Sequence, residues 1–288
     1  MMRQSTPFER NLFYVGADKA GSSWWHQVLA VHPQIGPTRV KDPFFFDRDY
    51  ARGLSSYFDL FDPVAGNRVG LDVSHDYLYS GIALRRIFRD VDDPFVLVGV
   101  RDPRLRTLSA LNYLRRHVRL PNDIVEAVAQ YPETVARSCY AAPVADALEV
   151  FGADRVIVVD VARLGDDPLG AVNDVLALVG CAPLRKNDLP SGRVRSASAP
   201  RSRVLGKVMK EGANAARRLG AYGVLERAKA SSKLNGAVFR APSDRERFGV
   251  ADLIDPAVLD LFAADTARLD ALLGTDYSTL WARTDNDG

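Results

Sequence analysis

The sequence predicts an α/β protein, a three-layer arrangement in which helices cover both faces of a central, mainly parallel sheet. Three observations carry that expectation. Apolar runs such as Phe95-Val96-Leu97-Val98-Gly99-Val100 lack the alternation of half-exposed strands, as strands buried on both faces of a parallel sheet do. Stretches with apolar residues at helical spacing alternate with those runs. Asp-Pro steps at 42, 62, 93, 102, 167 and 255, together with glycines, punctuate the resulting units.

The elements follow in order. Strands are expected over 12–15, 69–73, 95–100 and 156–159, and helices over 22–31, 80–88, 105–116, 140–151 and 169–178. This β-α-β alternation describes a doubly wound sheet. From Leu189 to Pro200 the chain is loop-like, and 204–239 is basic and helical in pattern, interrupted by Gly212, Gly220, Gly223 and Gly236. A last helix is expected over 256–273, with Leu259, Phe262, Leu269 and Leu272 at core spacing.

With 288 residues, 47% hydrophobic and 26% charged, the chain suits one soluble domain over 1–288 that carries a basic helical insertion at 204–240. The net charge of +2 conceals an asymmetry, because 193–247 holds 14 Lys/Arg against 4 Asp/Glu and the remainder is acidic. Such a segment is either a solvated helical face or a cap turned toward an anion or an acidic lipid surface. The two cysteines, Cys139 and Cys181, lie in apolar, helix-patterned surroundings and suit buried thiols in a reducing compartment. Neither has metal-ligand spacing with His26, His32, His75 or His117, so no metal site is expected. Met1 to Arg10 is polar and too short for a signal peptide, and no run approaches the roughly 18 apolar residues of a membrane span. The expectation is a cytoplasmic protein without a nucleic-acid partner, whose membrane contact, if any, is peripheral and through 204–240.

The chemistry concentrates in Leu12-Phe13-Tyr14-Val15-Gly16-Ala17-Asp18-Lys19-Ala20-Gly21-Ser22-Ser23-Trp24-Trp25. A strand, a short glycine-bracketed loop and a helix start form an anion site, because the first turn of a helix leaves its amides unpaired. A nucleotide-hydrolysing loop reads G-x-x-x-x-G-K-[ST], with its lysine after the second glycine. Here Lys19 precedes that glycine, and Ser22-Ser23 follow it. Arg101 stands at the end of another strand and Ser109 about two turns into the next helix, so the pair could hold a second phosphate. Two anion sites point to a nucleotide phosphorylated at two places.

These motifs resemble those of the sulfotransferases that use 3′-phosphoadenosine 5′-phosphosulfate (PAPS). Gly16 to Ser23 looks like their 5′-phosphosulfate loop, and Arg101-Asp102-Pro103 with Ser109 like their 3′-phosphate motif. The branch it most resembles contains the heparan-sulfate N- and 3-O-sulfotransferases and bacterial relatives. In that branch the loop is followed by His-Pro, an acidic-Pro-x-Phe-Phe-Asp segment, a Tyr and a Gly-Leu-x-x-Tyr. This chain supplies His32-Pro33, Asp42-Pro43-Phe44-Phe45-Phe46-Asp47, Tyr50 and Gly53-Leu54-Ser55-Ser56-Tyr57. The match runs from about Leu12 to Tyr113 and resumes more weakly over Tyr140 to Gly180.

The resemblance implies a role for each residue. Lys19 would neutralise the bridging oxygen as PAP leaves, while Ala20, Gly21, Ser22, Ser23 and Trp24 cradle the 5′-phosphate. Arg101 and Ser109 would bind the 3′-phosphate, with Arg195 in the late loop 193–202 covering it. Asp42 falls where the O-sulfotransferases place a glutamate as general base. His75 stands where the family's Glu-Lys-[ST]-Pro-x-Tyr segment has proline, here Asp72-Val73-Ser74-His75-Asp76-Tyr77, which makes it a rival base. The acceptor would be a hydroxyl of a small molecule or saccharide, no metal is needed, and 204–240 would be a lid on the acceptor or donor side.

Structural readings stand beside these. Arg101 could instead pair with Asp102 at a helix cap, Asp42 could cap a turn, and Trp25 and the Phe44–Phe46 run suit the core. Two other functions stay open on sequence. One is a P-loop small-molecule kinase, which needs a lysine after the second glycine and a carboxylate for magnesium. The other is a non-catalytic module binding nucleotide or anionic glycan through its basic segment.

Overall fold

The computed structural model describes residues 7–189, 199–200, 239–240, 248–249, 252 and 255–282. The expected insertion at 204–240, apart from 239–240, and Arg195 lie outside these described residues. The chain separates into two compact units. One takes in the described residues up to Pro103, from Cys139 to Leu189 and from Asp260 onward; the other takes in Arg104–Ser138 and the described residues between 193 and 259.

A five-stranded parallel sheet forms the centre of the first unit. Its strands are β1 (Arg10–Gly16), β2 (Ile35–Pro37), β3 (Val69–Val73), β4 (Pro94–Val100) and β5 (Val156–Asp160), in the order β2-β3-β1-β4-β5. The order places β1 in the middle, and every residue of β3 and β4 is buried. β5 differs from the expectation of burial on both faces, because Val156, Ile157 and Val158 are only half-buried. The cause is its place at the sheet edge, which an unbroken apolar run does not disclose. β2 was not anticipated, since three residues are too few to show a period.

The helices of this unit are α1 (Ser22–Ala30), α2 (Leu54–Phe58), α3 (Gly81–Asp90), α7 (Ala141–Phe151), α8 (Arg163–Asp166), α9 (Pro168–Leu178), α11 (Tyr277–Ala282) and most of α10 (Pro256–Leu273). The Asp167-Pro168 step shows how the punctuation works. Asp167 Oδ1 accepts from Gly170 N at 2.9 Å while Pro168 occupies the first helical position, where its missing N–H costs nothing. One core cluster joins Leu12, Tyr14 and Leu97 of the sheet to Trp25, Val28 and Leu29 of α1 and Val172, Val175 and Leu176 of α9. Buried Asp265 of α10 accepts from Tyr140 N and Ala141 N at 2.5 and 3.2 Å, closing the start of α7.

The second unit contains most of α4 (Pro103–Leu114), with α5 (Ile124–Gln130) and α6 (Glu133–Ala136). Arg106, 1% exposed, donates to Thr134 O at 2.7 Å, and Asn112 exchanges two hydrogen bonds with the Phe248 backbone, of 2.9 and 3.0 Å. Ala199–Pro200, expected to be loop, pairs antiparallel with Phe239–Arg240 as β6 and β7. Cys139 and Cys181 also depart from expectation. Both lie in loops and are half-buried, because their apolar neighbours are the ends of helices, and desolvation raises both thiols, Cys139 to about 11. No helix among the described residues is long and apolar enough to cross a membrane.

Candidate active site

The central strand β1 delivers the chain to the carboxyl edge of the sheet, where parallel α/β folds place ligands. From Gly16 the backbone turns through Ala17–Ala20 into α1. Ala17 N donates to Gly99 O of β4 at 2.8 Å. The hydroxyl of Tyr14, fully buried beneath the loop, lies 2.7 Å from Ala17 O and 2.9 Å from Ala20 O, so one phenol holds both ends. Gly21, with φ 90°, precedes α1, which has neither a side-chain cap nor an acidic residue in its first turn. Such a helix start offers backbone amides to an anion. Lys19 itself has φ 63°, a left-handed conformation that costs a non-glycine residue about 1–2 kcal/mol.

Close approach of the loop to β4 requires Gly99. A Cβ there would lie 2.6 Å from Tyr14 Oη and closer still to Ala20 O. Gly99→Ala is therefore expected to destabilise the protein by about 1–3 kcal/mol, read from urea midpoints, because two backbones and a buried ring must separate. An unchanged midpoint would show that the loop is not packed against β4.

Arg101 follows β4 directly. Its Nη1 donates to Lys19 O at 3.3 Å, and its own carbonyl accepts from Tyr140 Oη at 2.9 Å. The structure thus brings Arg101 to the lysine loop. Ser22, Trp24 and Ala20 stand on or beside the first turn of α1, and Ser23 is exposed there. Trp25 is core, and Trp24 is half-buried edge-on against it with ring centroids 5.0 Å apart. Ser109 is half-buried on α4, within the second unit.

β3 runs beside β1 and brings the acceptor-side candidates to the same edge. Ser74 N donates to Tyr14 O at 3.0 Å, and a Cβ on Gly16 would meet His75 O at 2.9 Å. Asp42 is anchored there by its own amide, which donates to Val73 O at 2.8 Å. Asp42 Oδ1 then lies 2.7 Å from His75 Nδ1, and Oδ2 is 2.6 Å from Lys41 Nζ. Burial pushes the Asp42 carboxyl up, but the His75 hydrogen bond and charge, joined by Lys41, outweigh it and hold the group well below the usual carboxylate range. His75 Nε2 is 3.8 Å from Asp76 Oδ1. The Phe44 ring stands edge-on to the imidazole at 5.2 Å, with the Arg48 guanidinium over it at 3.9 Å.

The structure therefore makes one unit of the two residues that the sequence named as rival bases. Phe45 and Phe46 are buried among Tyr57 and Tyr77 as core, while Phe44 stays half-buried beside His75. Sequence reasoning missed Lys41 and Asp72. Lys41 is adjacent to Asp42, but adjacency does not orient a side chain. Asp72 sits between Leu71 and Val73 in a strand, and that position was the available signal, because an acid 1% exposed in a central strand needs partners.

Curated sulfotransferases match parts of this chain. Human heparan sulfate glucosamine 3-O-sulfotransferase 3B1 is 32% identical over 95 residues, 33% of this chain and 24% of that protein. Mouse heparan sulfate glucosamine 3-O-sulfotransferase 6 is 28% identical over 174 residues, 58% of this chain and 51% of its own length. No family model matches. Among solved structures, a sulfotransferase from Alicyclobacillus acidocaldarius superposes with a TM-score of 0.64 at 23% identity, over 95% of this chain and 98% of that one. The chain is similar to sulfotransferases, heparan sulfate 3-O-sulfotransferases among them. Mouse sulfotransferase SULT7A1 complexed with PAP shares the fold, with a TM-score of 0.52 at 14% identity over 98% of this chain and 91% of that one. The expected three-layer sulfotransferase fold with its parallel sheet is the observed one. The chain spans about a quarter of the length of the first curated relatives it matches.

Proposed function

We propose that this protein transfers the sulfuryl group of PAPS to a hydroxyl of a saccharide or small molecule. The observation that carries the reading is the meeting of Lys19 and Arg101 on the phosphate loop, beside the Asp42–His75 pair on the neighbouring strand. Lys19 neutralises the bridging oxygen as the sulfur–oxygen bond to PAP breaks. The amides and hydroxyls of Ser22 and Ser23 hold the 5′-phosphate, and the Arg101 fork takes the 3′-phosphate. A part for Ser109 and Arg195 rests on the resemblance alone.

As the new sulfur–oxygen bond forms, the acceptor oxygen must lose its proton. A proton acceptor works best with a pKa near the operating pH. Both Asp42 oxygens are already engaged, Oδ1 by His75 Nδ1 and Oδ2 by Lys41 Nζ, so His75 takes the proton on its other nitrogen while Asp42 orients the ring and stabilises the imidazolium. The relatives named for heparan sulfate glucosamine support a saccharide acceptor, which transfer to glucosamine-containing oligosaccharides would test.

Calorimetry with PAP and AMP tests the donor assignment. PAP is expected to bind far more tightly than AMP. Arg101→Ala should weaken PAP by about 10–100-fold, the worth of one or two charge-assisted hydrogen bonds, and leave AMP unchanged. Equal affinities in the parent would remove the 3′-phosphate assignment. Turnover that vanishes in EDTA and returns with magnesium would favour the kinase.

A further inference from the structure

Asp72 is a buried acid that the proposed reaction does not use. Its Oδ1 accepts from Ser74 Oγ at 2.7 Å and its Oδ2 from Tyr77 Oη at 3.2 Å. Each hydroxyl has one proton, and both are spent on the carboxylate. Their lone pairs are then open to donors, and both receive backbone amides of the same segment: Phe44 N donates to Ser74 Oγ at 3.2 Å and Phe46 N to Tyr77 Oη at 3.3 Å. Two relays of amide, hydroxyl and carboxylate thus tie one side chain of β3 to two residues of the turn that carries Asp42.

That turn needs such a hold. Asp42 and Phe44, on either side of Pro43, have φ of 59° and 52°, a region that non-glycine residues occupy only where the surroundings impose it. We propose that Asp72 is a positioning residue of this site, fixing the backbone of residues 42–46 through Ser74 and Tyr77 and so holding Asp42 against His75. The consequence for function rests on the reading of Asp42 and His75 as the proton-accepting pair; the positioning itself does not. Burial raises the Asp72 carboxyl to about 7, against the pull of the Ser74, Tyr77 and Tyr57 hydroxyls, so removing Ser74 Oγ or Tyr77 Oη also weakens the anchor of the other.

Nuclear magnetic resonance titration of the His75 ring, in the full chain without donor or acceptor, tests the positioning directly. Ser74→Ala, Tyr77→Phe and Asp72→Asn are each expected to lower the proton affinity of His75 about tenfold, because Asp42 no longer holds the imidazolium at hydrogen-bonding distance. The charged neighbours Lys41, Arg48 and Asp76 are retained in all three variants. His32, whose Nε2 is 2.9 Å from Ala182 O elsewhere in the same unit, should keep its parental ring resonances at a fixed pH and report that the fold is intact. In transfer assays the same variants should lose about tenfold in kcat, less than the roughly 10²–10⁴ of a removed general base because the pair is displaced and not deleted, with KM for PAPS unchanged. Two hydroxyl variants that fold and leave the His75 titration at its parental position would overturn the proposal. A parent chain that transfers no sulfuryl group would overturn the proposed function and leave the titration to judge Asp72.

Discussion

Lys19→Gly is expected to abolish sulfuryl transfer while leaving the chain at least as stable as the parent. The two effects have separate causes. The lysine occupies φ 63°, where glycine is free of the steric cost that a Cβ carries, so the exchange should return about 1 kcal/mol to the folded state. Loss of the ammonium removes the charge that meets the leaving oxygen, and an interaction of that type is worth about 10²–10³ in kcat. Lys19→Ala is the control: it loses the ammonium yet keeps the strained backbone, so it should match the glycine variant in activity and fall below it in stability. PAP should still bind both variants, since Tyr14 and Gly99 hold the loop from beneath. Near-parental turnover in either variant would remove the lysine from the mechanism. Parental stability of Lys19→Ala beside a destabilised Lys19→Gly would remove the strain argument.

The pH profile carries the second large effect. The depressed Asp42 carboxyl stays ionised from pH 5 to 8, so a rise of kcat/KM in that window comes from another group, and His75→Gln compared with Asp72→Asn separates the imidazole from the buried Asp72 carboxyl near 7. His75→Gln should cost about 10²–10⁴ in kcat and erase the rising limb. Asp42→Asn should keep the limb but move it to lower pH, because the imidazolium has lost its partner. Stability follows the same sign. A carboxyl lowered by folding contributes stability above its unfolded pKa, near 4 for aspartate, and loses that contribution only as the pH falls through the folded value. Between pH 5 and 8 the Asp42 contribution is therefore constant, and any slope there comes from other groups. A limb that survives in His75→Gln and disappears in Asp42→Asn would return the base to Asp42.

Much of the fold was legible because its signals are local. Apolar runs marked β1, β3, β4 and β5 to within a residue or two, and 3.6-residue spacing marked α1, α3, α7, α9 and α10. The short helices, such as α2, α6 and α8, gave too few turns for a period, and the turn over Phe45–Asp49 is held by tertiary hydrogen bonds rather than by its own spacing. The phosphate loop was legible for the same reason, since glycines, serines and the lysine are consecutive.

The two halves of the candidate site differ in how they are specified. Lys19 and its loop are written in eight consecutive residues at the end of one strand, so the sequence by itself determined that a phosphate-type loop stands there with its lysine early. Asp42 and His75 are 33 positions apart and meet because β2, which leads toward Asp42, runs beside β3, which leads into His75, in the order β2-β3-β1-β4-β5. Strand order depends on which crossovers bury the most surface, and no periodicity encodes it. Only the tertiary structure could turn two rival bases into one pair, place Lys41 on the far carboxylate oxygen, and set Asp72 beneath them as a buried anchor.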